Sequence, residues 1–181
     1  MKLVTFKVHT EERLGACVGD QIVDLNSAYS LYLKEVEKRE TARLLASAIV
    51  PPCMKDFLAG GDESLKAARL AFDFVNRKER DIVGLVGERI FLKDSDVRLC
   101  APIPRPGKVY CVAVNFYDHA TEGIKDQNER EKEVNRLKSL NLDIPMIFLK
   151  PSELVCNPGD PIIKPRNSDQ VDYECELAVI I

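Results

Sequence analysis

The tail Val171-Asp172-Tyr173-Glu174-Cys175-Glu176-Leu177-Ala178-Val179-Ile180-Ile181 constrains this chain more than any other stretch. It sets two glutamates, one residue apart, at the head of an unbroken apolar run. A Val- and Ile-rich run without helical period predicts a buried strand. Side chains alternate across a strand, so Glu174 and Glu176 share a face. Neighbouring carboxylates repel unless a proton or cation stands between them. Two readings follow: solvated glutamates on an open sheet face, or a site for a hard cation such as Mg²⁺, Mn²⁺ or Ca²⁺. The wholly apolar residues that follow favour the buried strand. No turn motif closes the run at Ile181, and two glutamates are few for a magnesium site. The sequence is therefore expected to be the N-terminal part of a longer polypeptide.

The rest of the chain is expected to form an α+β protein. Its 181 residues suffice for one good core or two small domains. A net charge of −3 gives no electrostatic case for nucleic acid or an anionic membrane as partner. No stretch has the length of a membrane span, and the N-terminus lacks a signal-peptide pattern. None of the six cysteines forms a CxxC pair, which excludes the common zinc spacings. Most sit among apolar neighbours and are expected to be small buried hydrophobes in a reducing, cytoplasmic compartment.

Residues 1–8 predict a strand, and Gly19-Asp20 a hairpin turn between two more. A helix capped by Asn26-Ser27 is expected to run to Pro51-Pro52, with apolar positions at Leu31, Leu33, Val36, Leu44, Leu45 and Ala48. Residues 62–77 carry Leu65, Ala68, Phe72 and Val75 at helical spacing. A strand is expected near residues 89–92. The proline-rich stretch 101–107 predicts a boundary between a small domain, 1–100, and a second, 101–181. There, residues 108–114 and 145–150 predict strands, and 118–140 a solvated helix or flap. Residues 157–160 predict a tight turn, and 161–165 a short edge strand.

His119 and Glu122 lie three apart where a strand gives way to this helical segment. On a helix they touch, and a histidine held by a carboxylate is a ready general base; surface pairs of this kind are also common. Lys150, Lys164 and Arg166 are ordinary surface cations on spacing alone, and His9 has no partner near it in sequence.

Asn115-Phe116-Tyr117-Asp118-His119-Ala120-Thr121-Glu122, then Phe148-Leu149-Lys150-Pro151-Ser152, then Asp172-Tyr173-Glu174-Cys175-Glu176-Leu177-Ala178-Val179 together resemble the fumarylacetoacetate hydrolase family. The resemblance is strong over residues 101–181 and less distinctive before them. It implies a small N-terminal domain and a β-rich catalytic domain of mixed β-sandwich or β-roll form. It also implies a homodimer in which Mg²⁺ or Mn²⁺ serves chemistry on a 2-oxo acid, as in aromatic catabolism. In this pattern Glu174 and Glu176 match metal ligands. His119 and Glu122 match a water-activating dyad on a mobile lid, and Lys150 a lysine near the site. A third ligand aspartate and a further catalytic lysine would lie beyond Ile181.

The expected activity is hydrolysis of a C–C bond in an acylpyruvate-like diketo acid through a metal-stabilised enolate. Decarboxylase, isomerase, sugar-acid dehydratase and non-catalytic alternatives share the same motifs. The name-giving hydrolase has a ligand aspartate seven residues before its histidine. Val112 stands there in this chain, so the shorter acylpyruvase, decarboxylase and isomerase branches fit better. The charged stretch 125–141 would enlarge the lid.

Overall fold

The computed structural model describes residues 1–140 and 145–181. Five antiparallel strands form the first sheet. The alternating stretch Leu3–Val8 (β1) turns through His9 and Thr10 into Glu11–Val18 (β2). Gly19, at φ 59°, then permits the tight turn into Gln21–Asp24 (β3). Phe91–Lys93 (β4) pairs with β3, and Arg98–Leu99 (β5) pairs with β1 at the opposite edge. The strand order is β4-β3-β2-β1-β5.

The helices cover one face of this sheet. They are Leu25–Glu35 (α1), Ala42–Ile49 (α2), Met54–Ala59 (α3) and Gly61–Val75 (α4). Leu14, Ala16 and Val23 of the sheet pack with Leu31, Leu33, Phe57, Ala68, Ala71 and Val75 into the main core. Phe6, Ile22 and Leu92 form a smaller cluster on the other face, with Val4, Val8 and Leu99 beside them. Gly15 makes the sheet's closest internal approach. A Cβ there would stand 2.5 Å from Ile22 Cγ2 and 2.8 Å from Phe6 Cε1.

The long helix expected after residue 26 is two helices. α1 starts one residue before the expected Asn26-Ser27 cap, because the Asp24 carboxylate accepts from Ser27 N at 3.0 Å. It ends before a run dense in charge, where Lys38 takes φ 58°. The break resets the helical phase, so Ala42 and Ala46 are buried while Leu44 is 71% exposed. α4 also presents a face slightly rotated from the expected one. Ser64, Ala67, Ala68, Ala71 and Val75 are buried and Leu65 is not. Small side chains along this face let α4 lie close to α1.

A second, two-stranded sheet pairs Val109–Val112 (β6) with Ile147–Lys150 (β7), antiparallel, Val109 opposite Lys150. Between these strands lie Tyr117–Thr121 (α5) and Gln127–Ser139 (α6). Asp126 caps α6 by accepting from Glu129 N at 2.9 Å. No residue of α6 is buried, as its charge-rich sequence leads one to expect, though the helical segment is divided at residues 122–126. Asn141, the last residue of the expected lid, lies outside the described residues.

Three expectations are corrected. Residues 171–181 have no regular secondary structure and pair with no strand, with Tyr173 87% and Leu177 88% exposed, and are not a buried strand. Residues 161–165 likewise join no sheet, and Ile162 and Ile163 are exposed. An apolar run records what a segment would bury, but a strand also needs a neighbour to take its hydrogen bonds, and no described strand pairs with either stretch. The cysteines are all free, but only Cys100 is buried. Cys17 and Cys111 are half-buried, while Cys53, Cys156 and Cys175 lie in exposed loops or the tail.

Candidate functional site

β6 delivers the chain through Val114, at φ 51°, into the single turn of α5. That turn places His119 and Glu122 three residues apart on one side. His119 Nδ1 donates to Glu122 Oε2 at 3.0 Å. The bond selects the tautomer with the proton on Nδ1, leaving Nε2 able to accept one. Nε2 faces the tail, 3.4 Å from Glu174 Oε1. Residues 55 positions apart in sequence therefore meet at this imidazole.

The hydrogen bond to Glu122 raises the His119 pKa. Desolvation opposes it, and the negative charges of Glu122, Glu174 and Glu176 make smaller contributions to the increase. Both tail glutamates thus act electrostatically on the same ring. Lys150 is placed differently. It ends β7, opposite Val109, with Nζ 5.8 Å from the Phe148 ring centroid. No hydrogen bond or ion pair among the described residues links it to His119.

Two residues not singled out in the sequence hold this arrangement. Thr121 is fully buried; its hydroxyl donates to Tyr117 O at 2.9 Å and accepts from Arg130 Nε at 3.0 Å. Arg130 also donates to Asp118 Oδ1 at 3.1 Å. This clamp fixes the start of α6 against α5, on the turn that carries the His119–Glu122 pair. A threonine between Ala120 and Glu122 resembles any surface threonine in sequence, and nothing in the residue types marked its contact with Arg130.

The carboxylates of Glu174 and Glu176 are hard oxygen donors, and such donors suit a divalent ion of the magnesium or calcium kind. The donor chemistry fits; the number is small. Among the described residues, no three His, Cys, Asp or Glu side chains converge as a metal group.

Residues 108–181 match the profile of the fumarylacetoacetate hydrolase C-terminal domain. The oxaloacetate tautomerase Fahd2a, mitochondrial, of Rattus norvegicus is 31% identical over 185 residues, covering all of this chain and 45% of the relative. The fumarylacetoacetate hydrolase domain-containing protein 2 homolog of Dictyostelium discoideum is 31% identical over 186 residues, again across the whole chain and 46% of the relative. The human oxaloacetate tautomerase FAHD2A, mitochondrial, is 33% identical over 132 residues, 73% of this chain and 33% of its own length. The chain spans a little under half the length of the first two. Residues 108–181 thus belong to the fumarylacetoacetate hydrolase C-terminal domain family, and the chain as a whole is similar to proteins that carry that domain.

Proposed function

We propose that this chain carries the proton-transfer half of an enzyme that interconverts the keto and enol forms of a 2-oxo acid such as oxaloacetate. The observation behind this reading is the placement of His119 between Glu122 and Glu174. Glu122 holds the Nδ1 proton, so Nε2 is the basic atom. Nε2 takes a proton from the carbon next to the 2-oxo group as the C–H bond breaks, and its electron pair forms the enolate. Return of a proton to the oxygen completes the enol, and the reverse path restores the ketone. Glu122 and Glu174 flank the imidazolium formed in between and stabilise its charge.

Enzymes of the family commonly use divalent metals. Glu174 and Glu176 would contribute two ligands to such an ion, which supplies Lewis-acid stabilisation of developing negative charge on oxygen. Lys150 is proposed to assist from the end of β7 by attracting the substrate's carboxylate. Tautomerase names among the relatives favour this reaction over hydrolysis. Hydrolysis is the second reading: His119 and Glu122 are open to solvent, so Nε2 could equally take its proton from water.

The remaining parts of the reading are a small domain over 1–100, a catalytic portion over 101–181, and a homodimer. The compartment is proposed to be reducing and cytoplasmic, on the ground that all six thiols are free. Among the described residues, no helix is long and apolar enough to cross a membrane.

Decay of the oxaloacetate enol, followed by ultraviolet absorbance with Mg²⁺ and with EDTA, tests the reaction. Acceleration that falls by about 10²-fold or more in His119→Gln is expected. Acceleration of acetylpyruvate cleavage alone would replace tautomerisation by hydrolysis.

A further inference from the structure

A polar cleft of about 460 Å³ opens where the β1–β2 turn, α1, α2 and the loop before β4 meet. Its size is within the range of small-molecule sites. The cleft is lined by residues of the first 92 positions, and none belongs to the His119 cluster.

Its floor is α1. Ser27 and Ser30 lie three apart on one buried face of that helix. Ser27 has a partner, accepting from Arg13 Nη2 at 3.3 Å. Ser30 is 3% exposed, and its hydroxyl has no hydrogen-bond partner among the described residues. A buried hydroxyl without a partner is rare, and alanine would suit this helix position better by both propensity and burial. The wall carries the charge. Arg43 and Ser47 of α2, four apart, share a helix face on one side, and Arg89 stands on another.

Of the cleft's three carboxylates, Asp24 and Glu11 lie against Arg13. Asp24 is bonded to Arg13 and to Ser27 N. Glu88 accepts from Val86 N at 3.0 Å, and Glu11 lies 3.8 Å from Arg13. Arg89 pairs with Asp96 at 3.8 Å, the same distance as Arg13 to Glu11, whereas Arg43 enters no ion pair among the described residues. The Arg43 guanidinium and the hydroxyls of Ser30 and Ser47 thus remain to serve a guest.

We propose that this cleft binds a small oxyanion, the carboxylate or phosphate group of a metabolite, with Arg43 as its main charge partner and Ser30 as a buried donor. Guanidinium and hydroxyl donors are the set that recognises such a group.

The test is a titration of ¹⁵N-labelled protein with inorganic phosphate and, separately, with malonate, at constant ionic strength in chloride. Saturable shifts at the Ser30 and Ser47 amides are expected. Arg43→Gln, on an exposed helix face, should weaken binding about tenfold or more, and Ser30→Ala should weaken it several-fold. Tighter phosphate would indicate a phosphorylated ligand, and tighter malonate a dicarboxylate. Shifts that never saturate, or equal affinity in Arg43→Gln, would overturn the proposal. The outcome is independent of the reaction assigned to His119.

Discussion

Asp24 joins two structural roles in one buried carboxylate. It is 2% exposed, caps α1, and is bound to Arg13 through two oxygens. Asp24→Ala would leave the Arg13 guanidinium partly buried without its partner and the helix without its cap. A loss of about 3 kcal/mol in denaturant unfolding is expected. Gly15 offers a steric counterpart. Gly15→Ala drives a methyl into Ile22 and Phe6, and should cost about 1–3 kcal/mol. At His119 the expected outcome is electrostatic. Its pKa is raised chiefly by the hydrogen bond to Glu122, so the imidazole stays protonated to higher pH than a free histidine. Proton abstraction needs the neutral ring, which moves the acid limb of any rate profile upward. Glu122→Gln should lower the pKa read by NMR and shift that limb down. An unchanged pKa would show that the pair is not formed in solution.

The helical segment between the two strands of the second sheet is held by a polar clamp, and Lys138 Nζ of α6 also lies 5.5 Å from the Tyr117 ring centroid of α5. Thr121 and Arg130 tie α6 to the turn bearing the dyad, and α6 itself buries nothing. Thr121→Val should leave α5 packed but release α6, seen as faster amide exchange and faster proteolysis across residues 127–139. If this segment acts as a lid, the intact protein should be cut there more slowly with Mg²⁺ and oxalate than without them. Equal cutting would exclude a lid. The turn at residues 157–160 should respond to acid. Asp160 accepts from the backbone and side chain of Asn157 and pairs with Arg98, and these contacts lower its pKa. Their stabilisation is present above the ordinary carboxylate range and is lost as pH falls through the lowered native value.

The molecule as a whole separates what a sequence pattern can carry from what it cannot. The antiparallel hairpins around Gly19 and the helix over residues 61–75 follow from turn chemistry and periodicity, both local properties. The division of the long helix at residues 36–41 depended on tertiary burial of Ala42 and Ala46, which alanine hydrophobicity hardly announces. The tail was legible as apolar and carboxylate-bearing, but its pairing was not, because a ladder belongs to two strands. The candidate site was half legible. His119 and Glu122 touch, as their spacing implies, but the approach of Glu174 to His119 across 55 residues was not readable from either motif. The Thr121–Arg130 clamp was hidden, since neither residue type is distinctive.

The most direct measurement is the rate of oxaloacetate enol decay with Mg²⁺ for the intact protein and for its His119→Gln variant. Loss of the metal-dependent acceleration in the variant, with circular dichroism unchanged, is the predicted result. A variant that accelerates decay as well as the parent would contradict the placement of the base at His119.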